Sequence, residues 1–64
     1  MARNDIRDHE RLVALNIVLT REPNAAGLYT ATPHDLAGNR VPGLAYQARN
    51  PHAAVQGAVR GMLR

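Results

Sequence analysis

The stretch Gly27-Leu28-Tyr29-Thr30-Ala31-Thr32-Pro33-His34-Asp35-Leu36-Ala37-Gly38 leaves the chain little choice of local structure. From Leu28 to Thr32, Leu28, Thr30 and Thr32 alternate with Tyr29 and Ala31, which is the period of a strand, and Pro33 then ends ladder donation. Asp35 stands where a carboxylate can accept backbone N–H bonds inside its own turn, and Gly38 supplies the positive φ such a turn needs. A second punctuated turn, Val41-Pro42-Gly43, precedes another short alternating run from Leu44 to Arg49. Asn50-Pro51 follows and marks a helix start. The Asn side chain can accept from the orphan N–H groups of the first turn, and a proline at the first helical position has no N–H to lose.

The flanking segments complete the layout. Between Leu12 and Thr20, Val13, Leu15, Ile17 and Leu19 fall on one side and Leu12, Ala14, Asn16, Val18 and Thr20 on the other, as expected of one strand with a fully apolar face. Arg21 to Gly27 carries Pro23, Asn24 and Gly27 and reads as the hairpin loop that joins it to the next strand. After Asn50, the residues Val55, Ala58, Val59 and Met62, with Leu63 alongside, form an apolar stripe at helical spacing, and Arg60 and Arg64 lie where the helix dipole favours cations. The expected fold is α+β in the order β-β-β-α, a three-stranded antiparallel sheet with one C-terminal helix on one face. It occupies residues 12–64 as a single domain, behind a polar arm of residues 1–11 that holds at most one helical turn begun at Asn4 or Asp5.

Such a chain has little to build a core from. It has 64 residues, no Phe, no Trp, no Cys and two Tyr, so the interior must come from Leu, Val, Ile, Ala and Met. A core of that size contributes only ~3–5 kcal/mol unaided, and small scaffolds usually add a staple. With disulfides excluded, the expected staple is oligomerisation, a homodimer in the first instance. Gly57 and Gly61 each cost ~1 kcal/mol relative to Ala in a helix interior. They lie four apart on one face with Ala53, a ridge suited to close approach, either by a partner helix across a dimer or by the chain's own sheet.

Charge is divided unevenly. Residues 1–35 carry four Arg and five acidic residues, a net −1, whereas residues 36–64 carry four Arg and no acid, a net +4. Arg40, Arg49, Arg60 and Arg64 are therefore the residues that would contact an acidic protein surface or nucleic acid. Every basic residue is Arg, which together with the Ala excess suggests a GC-rich coding genome, bacterial or phage. No stretch resembles a signal peptide or a membrane span, and a cytoplasmic location is expected.

Little in the chain suits catalysis. It lacks Ser and Cys, so serine and thiol nucleophiles are excluded, and it has no phosphate-cradling glycine loop. His9, His34 and His52 have no metal-like spacing and read as exposed polar residues. Asp35 lacks a second acid or base to work with and reads as a turn-stabilising group. Neither a catalytic residue nor a metal or cofactor is expected.

The segment from Leu15 to Leu63 resembles the HicB-like antitoxin domain, a truncated ribonuclease H-like fold. The resemblance rests on Tyr29-Thr30-Ala31-Thr32-Pro33-His34-Asp35-Leu36-Ala37-Gly38, then on Asn50-Pro51 and the run Ala53-Ala54-Val55 through Ala58-Val59. His34 stands between the Pro and Asp that are adjacent in the family, Asn39 to Leu44 lengthens the third segment, and the acidic residues common in the family helix are missing. The resemblance implies a non-enzymatic domain that dimerises and masks a small RNA-cleaving toxin. A phage product that binds and inhibits a host protein has the same physical requirements. Direct RNA or DNA binding through the basic half is the alternative.

Overall fold

The computed structural model describes residues 7–14 and 16–63. Four strands, β1 (Glu10–Ala14), β2 (Ile17–Thr20), β3 (Tyr29–Pro33) and β4 (Tyr46–Ala48), form an antiparallel sheet in the order β1-β2-β3-β4. One helix, α1 (Pro51–Met62), follows and packs mainly on β3 and β4, reaching β2. The α+β class and the C-terminal helix are as expected, but the sheet has four strands rather than three. The run read as a single strand from Leu12 to Thr20 is divided between two antiparallel strands, β1 ending at Ala14 and β2 beginning at Ile17, and the sheet begins at Glu10. Leu15, Arg64 and the helical turn expected at Asn4 or Asp5 lie outside the described residues.

Asn16 anchors the start of β2 to the segment after β3. It accepts from the His34 N–H at 2.7 Å, which carries the β2–β3 register one residue beyond Ile17 and Pro33, and donates its side-chain Nδ2 to the His34 carbonyl at 2.8 Å. In β1 the register shifts between Leu12 and Ala14, a bulge with Val13 as the extra residue. A bulge offsets the pleat by one position, and both Val13 and Ala14 pack against the core under α1.

The core on the helix side consists of Ile17, Leu19, Ala31, Ala54 and Ala58, with Tyr29, Ala48, Val55 and Met62 around it. The expected alternation places these residues correctly: Tyr29 and Ala31 face the helix, and Thr30 and Thr32 face away. The opposite face also holds buried residues. Val18 is fully buried there, paired with Leu12 on one side and Thr32 on the other. His34 is also buried on this face, at 2% exposure, against the expectation of a surface histidine. It continues β3 past Pro33, so the pleat carries it to the side of Thr32 and Val18. Among the described residues, neither of its ring nitrogens has a hydrogen-bond partner.

A charge pair spans this face. Arg40 pairs with His34 beyond the end of β3, and its guanidinium reaches the carboxylate of Glu10 on β1. The contact is two-pronged: Nη1 donates to Oε1 at 3.1 Å, and Nη2 donates to Oε2. Oε1 also accepts the Arg7 backbone N–H at 3.2 Å. With Glu10 5% and Arg40 17% exposed, the pair is largely out of water.

Two loops share one construction. Asn24 Oδ1 accepts from the Ala26 and Leu28 N–H groups, and the Asn24 N–H donates to the Leu28 carbonyl. Asp35 Oδ1 accepts from Ala37 and Asn39, and its N–H donates to the Asn39 carbonyl. In each loop a glycine three residues on takes positive φ, Gly27 at 80° and Gly38 at 89°. Asn24-Ala25-Ala26-Gly27 and Asp35-Leu36-Ala37-Gly38 are one loop written twice.

Two measurements test these supports. Glu10→Gln takes the carboxylate out of the largely buried Glu10–Arg40 pair, and loss of one partner of a buried pair costs roughly 3–5 kcal/mol. Arg40's partial exposure puts this case at the low end, still enough to unfold much of the population in a urea titration. The double change Glu10→Leu with Arg40→Leu should recover most of that loss, because no charge is left stranded. The loop makes a separate prediction. The Asn39 N–H first, then those of Ala37 and Gly38, hold the Asp35 carboxyl below its ordinary pKa. A lowered folded-state pKa adds stability that is present above the unfolded pKa and is lost as pH falls through the folded value. Asp35→Asn should keep the loop, as Asn24 does in its twin, and make the acid unfolding transition shallower in a circular-dichroism pH titration.

Candidate functional site

A groove opens where the 3-10 turn Pro42–Leu44, β4 and α1 meet. Val41-Pro42-Gly43 forms the turn, with Leu44 N–H donating to Val41 at 3.0 Å and Ala45 N–H to Pro42 at 3.1 Å. Leu44 therefore sits in this turn and not in the strand expected from Leu44 to Arg49, which is shortened to Tyr46–Ala48. Leu44 and Tyr46 remain 38% and 46% exposed. Between them and α1 runs a groove of about 360 Å³ lined by Leu44, Tyr46, Gly57, Arg60 and Gly61. Arg60 also borders a shallower apolar depression formed with Val55 and Val59.

The two helix glycines have different roles. A Cβ on Gly57 would fall on the Tyr46 ring, at Cγ, Cδ2 and Cε2, so the absence of a side chain there is what lets Tyr46 lie flat on the helix. A Cβ on Gly61 would meet only Leu44 Cδ2, at 4.0 Å, an ordinary contact. Gly57 is thus explained by the chain's own packing, whereas Gly61 leaves room in the groove floor. Ala53, the third member of the small-residue ridge, is half-buried.

The helix is started as expected, with Asn50 Oδ1 accepting from the Ala53 N–H at 2.7 Å and Pro51 in the first turn. Because Tyr46 lies against Gly57 and Leu44 against Gly61, β4 and α1 run antiparallel. Arg49 and Arg60, both exposed, consequently bracket the β4 edge at its two ends. Arg40 differs from them, being committed to Glu10. Arg64, the fourth residue expected to contact a partner, lies outside the described residues. Asp35 and Gly38 form the loop already described, on the surface.

A second depression, about 550 Å³, lies at the β2–β3 hairpin end, lined by His9, Thr20, Arg21, Glu22, Asn24 and Leu28 among others. It carries both signs of charge, and Asn24 and Thr20 there are occupied with backbone bonds, Thr20 Oγ1 accepting from Thr30 at 3.1 Å. Among the described residues, no group of three or more His, Cys, Asp or Glu side chains is placed to hold a metal ion. No helix of the described residues is long and apolar enough to cross a membrane. No protein-family model matches the chain, and no curated protein or solved structure matches it either.

The exposure of Leu44 and Tyr46 was not readable from the strand pattern, which treated Leu44, Tyr46 and Ala48 alike. The signal that could have found the groove is the pairing of two spacings. Residues four apart on a helix rise about 6 Å, and residues two apart on a strand advance about 6.6 Å. Gly57 and Gly61 therefore match Tyr46 and Leu44 step for step.

Opposite effects are expected from one substitution at the two glycines. Gly57→Ala should destabilise the fold by displacing the Tyr46 ring, and its near-ultraviolet dichroism should change with it. Gly61→Ala should stabilise by up to ~1 kcal/mol, the ordinary gain of Ala over Gly in a helix. Thermal unfolding of the two variants beside the parent chain decides this; equal shifts of one sign would show that Tyr46 does not hold the position described.

Proposed function

We propose that this chain is a non-enzymatic protein-binding module, HicB-like in fold, that masks or inhibits a protein partner. The observation that carries the reading is the open groove between Leu44, Tyr46 and the glycine face of α1, part apolar and part polar with Arg60 in its lining, beside an edge strand. Grooves with a few placed polar groups are the default sites of recognition on small domains. Support for the HicB-like part comes from element order: hairpin β2–β3, the Asp35 loop, β4 and the Asn50-capped helix follow one another as the resemblance implies. β1 is an addition to that plan. The partner is a toxin or a host protein, and binding occludes its working surface.

Affinity capture from host lysate, with and without nuclease and washed at low and high salt, tests the proposal. The expected result is one stoichiometric protein that survives nuclease and high salt and is lost when the bait carries Leu44→Asp. Nucleic acid whose recovery disappears at high salt would replace this reading with phosphate contacts through Arg49 and Arg60, since counterion release makes such binding steeply salt-dependent.

A further inference from the structure

We propose that the outer edge of β4 and the groove beside it take an extended, acidic segment of a protein partner as a fifth strand, an inference that rests on the protein-binding reading above. The backbone sets the direction. The His34 N–H points to Asn16 on the β2 side of β3, whereas the Pro33 carbonyl accepts from Val41 on the β4 side. Backbone groups alternate along a strand, so Tyr29 and Ala31 also face β4 and meet their partners Ala48 and Tyr46. The N–H and C=O of Gln47, between those two, consequently point off the sheet. Gln47 is exposed, and β4 is the last strand of the sheet.

The other edge is defended. β1 carries the bulge at Val13, a usual device for interrupting edge pairing, and β4 has none. Three residues can hold only a short added strand, so its side chains must supply much of the affinity, as in other strand-addition complexes. The groove receives one apolar side chain against Leu44, Tyr46 and the open floor at Gly61.

Charge selects the occupant. Arg49 and Arg60 bracket the edge, and residues 36–64 contain no acid. A second copy of this chain would bring the same cations to the same place, and like charges juxtaposed at an interface are costly. A segment that alternates apolar and acidic residues meets both the groove and the arginines.

The test is a nuclear magnetic resonance titration of the full isotope-labelled chain with a short peptide of alternating valine and glutamate. The expected result is amide shifts centred on Gln47, Arg49 and Gly61, and no binding by the same peptide N-methylated along its pairing edge. Arg60→Glu should weaken binding about tenfold or more. Gln47→Pro should abolish it while leaving the fold intact, since that N–H serves no bond within the sheet. Unmoved β4 amides overturn the proposal, and so does equal binding of a valine–lysine peptide. Displacement of the acidic peptide by oligothymidylate also overturns it, in favour of a phosphate-binding surface. A dimer whose Gln47 amide is protected from exchange without peptide would assign the edge to a second copy. If lysate capture yields a stoichiometric protein while the β4 amides stay silent, the binding-module reading stands and this edge is not its site; if both fail, both readings fall.

Discussion

The structure depends on how closely α1 can approach the sheet. Among the described residues, the large aliphatic side chains withdrawn from water are Ile17, Val18 and Leu19, and Val18 lies on the far face. Burying such a side chain contributes ~1.5–3 kcal/mol, so two of them cannot hold a helix on a sheet across a wide gap. Ala31 below and Ala54 and Ala58 above, all fully buried, close that gap. Gly57 extends the close approach to β4, where a tyrosine ring takes the place a side chain would have filled. A helix seated this low leaves Leu44, one strand step beyond Tyr46, against Gly61 with space to spare. The groove is a by-product of a core built from small residues.

The face away from the helix uses a different means. Among the described residues it carries a charge pair and a buried histidine beside Val18 and Thr32. A largely buried ion pair is weak evidence for net stability, because desolvation offsets much of the attraction. What the Glu10–Arg40 contact does supply is a fixed relation between distant parts of the chain, since it binds β1 to the segment after β3. The unpartnered His34 imidazole carries a cost, about 1–3 kcal/mol for a buried polar group of this kind. The chain tolerates it at the point where Asn16 holds the His34 backbone on both its N–H and its carbonyl.

Local chemistry was the most legible part of the sequence. The Asn50-Pro51 helix start, the Asp35 and Gly38 turn and the two-faced β3 all follow from residue type and spacing, because each is settled within a few residues. The split of Leu12–Thr20 was not legible. Alternation continues straight through Leu15 and Asn16, and the contact that anchors the start of β2, Asn16 with His34, joins residues eighteen apart. Glu10 was hidden for the same reason, its partner being thirty residues away. For the site, the spacing of Gly57 and Gly61 puts them on one ridge, but that Tyr46 fills the space over Gly57 while Gly61 keeps room to spare required the strand register. Arg40, Arg49 and Arg60 look alike in sequence, and only the fold separates the one that is tied down from the two that are exposed.

That separation also explains why a chain of modest net charge presents a one-sided field. Glu10 spends its charge on Arg40, and Asp35 turns its carboxylate into its own loop. Two of the acidic groups that could balance the surface are thus engaged locally, while Glu22 sits in the β2–β3 hairpin loop, at the far end of β3 from the Asp35 loop. Arg49 and Arg60 keep their charge in solvent at the β4 edge, where the described residues offer no carboxylate in either bordering depression. An edge strand ordinarily invites any passing strand, and a pair of cations makes that invitation selective. If the β4 edge takes the strand proposed above, the same two arginines would disfavour a second copy of the chain and favour a segment of opposite charge, so that both effects would arise from one feature of the surface.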